Sequence, residues 1–204
     1  MNDNKVLILD MIVDALVLPG VYHILQKGFM VRARVGCSIE DFLCQQQNIS
    51  PKYIAQRIGT IFLDGQPVDD IAAAQIEDGC TIALSGAMPG LVGAVMRRGS
   101  PYASFRDSIT YSKANPGSQP EEGRVRLKLF NIVMNDLGPR FLKNGVFLNS
   151  SDLTELLANQ PDEFGKGCKK IMLNEKGITF DSLKTTQLTS QCHSVFFSVK
   201  TSSP

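Results

Sequence analysis

The first readable pattern lies at residues 21–35, where VYHILQ and FMVRARV flank Lys27-Gly28. Two runs rich in β-branched and aromatic residues around a Gly-containing turn predict a β-hairpin. Ser38 with an acidic residue, Asp41, three positions on is a helix-start signal, and Ile39, Phe42 and Leu43 then recur at helical spacing. A second start, Ser50-Pro51, sets proline at the first helical position ahead of Tyr53, Ile54 and Ile58, and Gly59 ends the run. TIFLDGQPV (60–68) reads as a strand, a turn at Asp64-Gly65 and a return strand. After the turn Glu77-Asp78-Gly79, CTIALS (80–85) predicts a short buried strand.

Residues 112–123, SKANPGSQPEEG, carry the Pro, Gly, Ser and charge of a linker. Beyond it a similar order returns. RVRLKLFNIVM (124–134) and NGVFL (144–148) predict a looser hairpin, and Asp152 with Glu155 a capping pair. Leu153, Leu156 and Leu157 repeat the earlier helical stripe; KKIMLNEKGITF (169–180) reads as strand, turn and strand, and HSVFFSVK (193–200) closes the series. Ile61, Leu63 and Val68 precede Ile171, Leu173 and Ile178 by 110 positions, and the helical stripes are offset by 114. A near-constant shift predicts an internal duplication.

Hairpin, helix, strand, strand within one short stretch resembles the β-grasp (ubiquitin-like) fold. Leu63-Asp64-Gly65-Gln66-Pro67-Val68, followed by Asp78-Gly79-Cys80-Thr81-Ile82-Ala83-Leu84, is similar to the small sulfur carriers of thiamine and molybdopterin biosynthesis. In that family a strand carries an N-G-x-x-V turn, a D-G-D-x-[IV]-x-[LF] turn and strand follow, and the chain ends in Gly-Gly. The resemblance covers residues 21–86 and implies an α+β chain of two tandem β-grasp modules, each a mixed sheet around one main helix. The expected division is an N-terminal apolar segment (1–20), module 1 (21–86), a Gly/Arg-rich segment and linker (87–123) and module 2 (124–200). One departure stands out: where a carrier stops, this chain continues as GAMPGLVGAVMRRG, so carrier chemistry would require cleavage after Gly90 or Gly93.

That Gly-rich stretch is the main candidate for function. Met88, Leu91, Val92 and Met96 offer an adaptable apolar face, and Ala87, Ala94 and the glycines let backbone approach another surface. Met88, Pro89, Gly90, Leu91, Gly93, Met96, Arg97, Arg98 and Arg106 are therefore the expected partner-binding residues, since in β-grasp carriers the segment after the last strand reaches into a partner. The alternative is a phosphate cradle using Arg97 and Arg98, although neither a Walker A loop nor a dinucleotide fingerprint is present.

Other chemistry is sparse. Two histidines cannot build an imidazole metal site, and five cysteines without a C-x-x-C pair signal neither zinc nor a disulfide framework. Cys192-His193, a thiol beside a base, falls on an extended run that sends neighbours to opposite faces. Asp10 and Asp14 would share a face if residues 5–18 were helical, whereas Asp69-Asp70 and Glu121-Glu122 read as solvated charge. No cofactor, metal or catalytic residue is expected.

Composition closes further classes. Hydrophobic residues make up 43% and charged residues 20% of 204, a globular balance. KVLILDMIVDALVL (5–18) is too short and too acidic for a membrane span or leader, so the expectation is a cytoplasmic protein without a membrane partner. Net charge is +1, but residues 1–96 hold 6 Lys/Arg against 10 Asp/Glu and residues 97–143 hold 9 against 4. The simplest reading is that the acidic first half and the basic middle attract each other within or between chains, so nucleic acid is not an expected partner. The resulting expectation is a non-catalytic interaction or assembly module that meets a protein partner or a second copy.

Overall fold

The computed structural model describes residues 6–111, 121–188 and 192–202. The chain is α+β. Its strands are β1 (Leu7–Val13), β2 (Phe29–Val35), β3 (Thr60–Leu63), β4 (Gln66–Pro67), β5 (Thr81–Ser85), β6 (Glu121–Phe130), β7 (Val146–Asn149), β8 (Cys168–Leu173), β9 (Lys176–Gly177) and β10 (Ser194–Thr201). The α-helices are α1 (His23–Lys27), α2 (Ile39–Asp41), α3 (Pro51–Arg57), α4 (Gly90–Met96), α5 (Asn131–Asn144), α6 (Ser150–Ala158), α7 (Asp162–Gly167) and α8 (Phe180–Thr185). Two compact units form: residues 30–135, and residues 1–29 together with 136–204. Among the described residues no helix is long and apolar enough to cross a membrane.

In the unit 30–135 the strand order is β4-β3-β5-β6-β2, with β5 antiparallel to β3 and parallel to β6. Strand alternation sends Val31, Ala33, Val35, Ile61, Leu63, Ile82, Leu84, Val125, Leu127 and Leu129 into the core, where Ile39, Phe42, Leu43, Ile54 and Ile58 are also buried. The helix starts fall where the pattern predicts. Ser38 Oγ accepts the Asp41 N–H at 3.0 Å, and α2 runs on into a π turn over Phe42–Gln46. Ser50 Oγ accepts the Tyr53 N–H at 3.2 Å ahead of α3, with Pro51 in its first turn.

The expected hairpin at 21–35 is only half present. FMVRARV is β2, but Leu18–Val21 form a 3-10 turn and His23–Lys27 are α1. Pro19 opens the helical turn, Val21, Ile24 and Leu25 bury together at helical spacing, and Gly28 at φ 118 ends it. The partner of β2 is instead β6, which begins where the expected linker ends; that linker lies, up to residue 120, outside the described residues. RVRLKLFNIVM does not make a second hairpin either. β6 stops at Phe130, Asn131 takes φ 55, and α5 follows, burying Val133, Leu137, Phe141 and Leu142 despite Pro139 inside it.

In the other unit the order is β7-β10-β1-β8-β9, with β1 parallel to β10 and antiparallel to β8. Residues 7–13 are thus a strand, with Leu7, Leu9, Met11 and Val13 buried and Asp10 on the opposite face. Asp10 and Asp14 form no acid pair: Asp10 accepts from Ser198 Oγ, and Asp14 meets Lys169 Nζ at 3.0 Å. Asp152 and Glu155 likewise do not cap α6. The capping position is Asn149, and both carboxylates hold Lys27 Nζ, at 2.8 and 2.6 Å.

The offset of 110 positions corresponds to β3-turn-β4 in one unit and β8-turn-β9 in the other. Both turns have two central residues of positive φ, Asp64 and Gly65 (49 and 83) and Asn174 and Glu175 (47 and 67), the I′ type that suits a tight hairpin. Glu175 pays a steric cost in that region that Gly65 avoids. Glu175→Gly is expected to stabilise the chain by about 1 kcal/mol in urea unfolding, whereas Gly65→Glu is expected to lower stability by a similar amount.

Candidate functional site

The candidate surface is built by the chain between β5 and β6, all within the unit 30–135. Residues 86–89 leave the sheet, α4 follows, and a 3-10 segment covers Ala103–Ile109 before Tyr111 N donates to Pro67 O at 2.9 Å. The helix can lie close to its own entry only because residue 93 is glycine. A Cβ there would stand 2.0 Å from Met88 O, a distance that backbone cannot relieve cheaply.

The three arginines of the expected set separate into different roles. Arg106 is not surface charge: it is 2% exposed. Its Nε donates to Val95 O at 2.8 Å, Nη1 to Thr110 Oγ1 at 2.8 Å, and Nη2 to Asp69 Oδ1 at 2.7 Å and Arg97 O at 3.4 Å. One guanidinium therefore ties the end of α4, the 3-10 segment and the loop after β4 together. Asp69, expected as solvated charge, is its counter-ion. Arg98 is half-buried, with Nη2 near Ile54 O at 3.4 Å and its own N–H on Gly59 O at 2.9 Å. Desolvation by burial pulls its pKa below the ordinary arginine value, and its Nε has no hydrogen-bond partner among the described residues. Arg97 is exposed. The forks thus do not converge on one point, as a phosphate cradle would need.

This segment shows several large apolar side chains to solvent beside the charged Arg97 and Asp107. Leu91 is 73% and Phe105 76% exposed, and Val92, Tyr102 and Ile109 are exposed as well. Tyr102 and Phe105 stack at 6.3 Å between ring centroids with planes 11° apart. Of the expected partner-binding residues, Pro89, Gly90, Leu91 and Arg97 are exposed, Met88, Met96 and Arg98 are half-buried, and Gly93 and Arg106 are buried. Tyr102, Phe105 and Ile109 lie outside the expected set, although their i, i+3, i+7 spacing is that of one helical face and is the signal that marks them. Under α4 lies a groove of about 510 Å³ lined by Phe62, Ala83, Met88, Val92 and Phe130, with Ser85 and Asn131 at hand.

Elsewhere the reactive side chains are quiet. Cys192 is buried, with Sγ near Leu188 O, while His193 is exposed. Burial pushes the Cys80 and Cys168 thiols up to about 11, so both are protonated at neutral pH and are poor nucleophiles. Among the described residues no three His, Cys, Asp or Glu side chains gather as metal ligands.

Arg106→Met is expected to lower stability by about 2–3 kcal/mol, because buried carbonyls lose a charged donor. Asp69 is 38% exposed, so solvent screens its share and Asp69→Asn is expected to cost about 1 kcal/mol. Thermal unfolding followed by circular dichroism checks both: a drop of about 6 °C or more for Arg106→Met, and a smaller one for Asp69→Asn. No protein-family model, curated protein or solved structure matches this chain.

Proposed function

We propose that this chain is a non-catalytic, β-grasp-like interaction or assembly module, and that the surface of residues 88–109 meets a protein surface, either a second copy or another protein. The observation that carries this reading is the exposure of Leu91, Val92, Ile109 and the stacked pair Tyr102 and Phe105 on one segment that Arg106 fixes from within. An apolar cluster of this kind on an ordered segment loses water-exposed area only by docking. A net charge of +1 adds little repulsion against association. Support for the β-grasp part is each unit's five-strand mixed order, with helix following β2 or β7 and a strand-turn-strand after it.

Two alternatives are less well supported. A carrier released by cleavage after Gly90 or Gly93 would lose β6, whose Val125, Leu127 and Leu129 are in the core of the unit that also holds β5. A phosphate site at Arg97 and Arg98 would need Arg98 to leave the carbonyls of Ile54 and Gly59 that its side chain and N–H contact.

A photo-crosslinking residue at position 105, expressed in the source cells, tests the docking surface. A discrete adduct, dimeric or with another protein, is expected there, to be absent from an exposed control position such as Asp181, and to disappear in Leu91→Gln. Adducts no different between positions 105 and 181 would remove the reading. The substituted side chain at 91 is exposed, so unfolding temperature is expected to stay within about 2 °C.

A further inference from the structure

The sheet of the unit 30–135 has a second face, and its composition differs from that of the segment above. Residues that alternate with the core-facing ones point the other way: Met30, Arg32 and Arg34 on β2; Arg124, Arg126, Lys128 and Phe130 on β6; Thr81, Ala83 and Ser85 on β5; Thr60 and Phe62 on β3, with Thr60 and Ser85 buried at the end of the face near α4. The register fixes this. Thr81 pairs with Arg126, Ala83 with Lys128 and Ser85 with Phe130, and Phe62 pairs with Ala83. Val35 lies against the Cβ direction of Gly123, so β2 and β6 bury the same face and Arg32 and Arg34 share the face of Arg124, Arg126 and Lys128. Arg32 and Arg34 are exposed and the β6 cations half-exposed.

Five cations therefore share one sheet face, of which Arg32 and Arg124 also have other partners; among the described residues of β6 in phase with them the carboxylate is Glu122, at the start of the strand. Two half-exposed phenyl rings, Phe62 and Phe130, flank the small side chains Ala83 and Ser85. The slot between them is the 510 Å³ groove, whose other wall is Met88, Pro89, Val92 and Gly93 of the α4 segment, and Asn131 Nδ2 donates to Ser85 Oγ at 3.1 Å at its polar end.

We infer that this face binds a single-stranded nucleic acid, its phosphates along the cation row and a base in the Phe62–Phe130 slot. Alternate residues on a strand are about 6.6 Å apart, on the order of the step between phosphates of an extended strand. A flat sheet face that combines cations with aromatic rings is a stacking platform for unpaired bases. A purely acidic peptide would use the cations but leave the slot unexplained. Phe130 lies within the basic segment, two residues from Lys128 and in phase with it on β6. Phe62 comes from another strand, and only the sheet brings it beside the basic row.

Fluorescence anisotropy with labelled twelve-residue oligo-dT and oligo-U, run from about 50 to 300 mM salt, tests this. Both probes are expected to bind, and Arg126→Ala/Lys128→Ala is expected to weaken binding about tenfold or more. That variant should also flatten the salt slope by about 1.4, two contacts at about 0.7 each. Phe62→Ala is expected to weaken binding about fivefold without changing the slope. Arg34→Glu, at an exposed position, is expected to weaken it as well and serves if the Phe62 variant fails to fold. Phe105→Gln, outside the groove lining, is expected to leave it unchanged, which separates nucleic-acid binding from the docking proposed above even though Val92 belongs to both surfaces. No salt-dependent binding at 50 mM overturns the inference. So does equal competition by poly-glutamate with no effect of Phe62→Ala, which would make the face a general site for acidic protein.

Discussion

Parallel pairing of β5 with β6 is the constraint on which the candidate surface depends. Two antiparallel strands can be joined by a two-residue turn, but parallel neighbours need chain that returns to the starting end. The chain leaves β5 at Ser85 and re-enters the sheet at Glu121, so residues 86–120 are the crossover. Surface chain of this kind can carry a binding face while the sheet keeps it in place. A sulfur carrier would have ended after β5. Here a further strand must lie beside β5, and the added chain becomes the feature of interest.

The described part of the crossover, residues 86–111, is held at several points. Gly93 allows α4 to touch Met88 backbone, and the Arg106 guanidinium gathers carbonyls of Val95 and Arg97, the Thr110 hydroxyl and the Asp69 carboxylate. Burying that cation has a desolvation cost, offset because four acceptors surround it. With polar groups turned inward, Leu91, Val92, Tyr102, Phe105 and Ile109 are left facing water. A buried arginine beneath exposed large apolar side chains departs from the usual distribution, although Arg97 and Asp107 of the same segment are exposed as well, and it is the basis of the docking proposal.

The two units fill the same five positions from different parts of the chain. β4, β3, β5, β6 and β2 in one correspond in order, and over the first four strands in pairing direction, to β9, β8, β1, β10 and β7 in the other. The position beside β3 is taken by β5, which follows in sequence, whereas the position beside β8 is taken by β1 from the N-terminus. A sheet requires a hydrogen-bonded neighbour and a matching apolar face, and is indifferent to where along the chain that neighbour comes from. Shared architecture of this sort does not by itself assign activity, which has to be argued from the surfaces.

Local rules carried part of this structure. Ser38 and Ser50 with Pro51 marked helix starts, Asp64-Gly65 marked a tight turn, and alternation in TIFL, TIALS and SVFFSVK marked strands, because each depends on neighbours within a few residues. Val21, Ile24 and Leu25 suited strand or helix equally, and packing chose helix. Partners of β1, β2 and β6 lie far away in sequence, so no local pattern shows them. The same holds for the candidate sites: the apolar character of residues 88–96 was legible, but the inward turn of Arg106 onto Asp69 and the meeting of Phe62 with the β6 cations were not. Side-chain type is written along the chain, whereas the face it ends on, and what stands beside it, is set by long-range strand pairing.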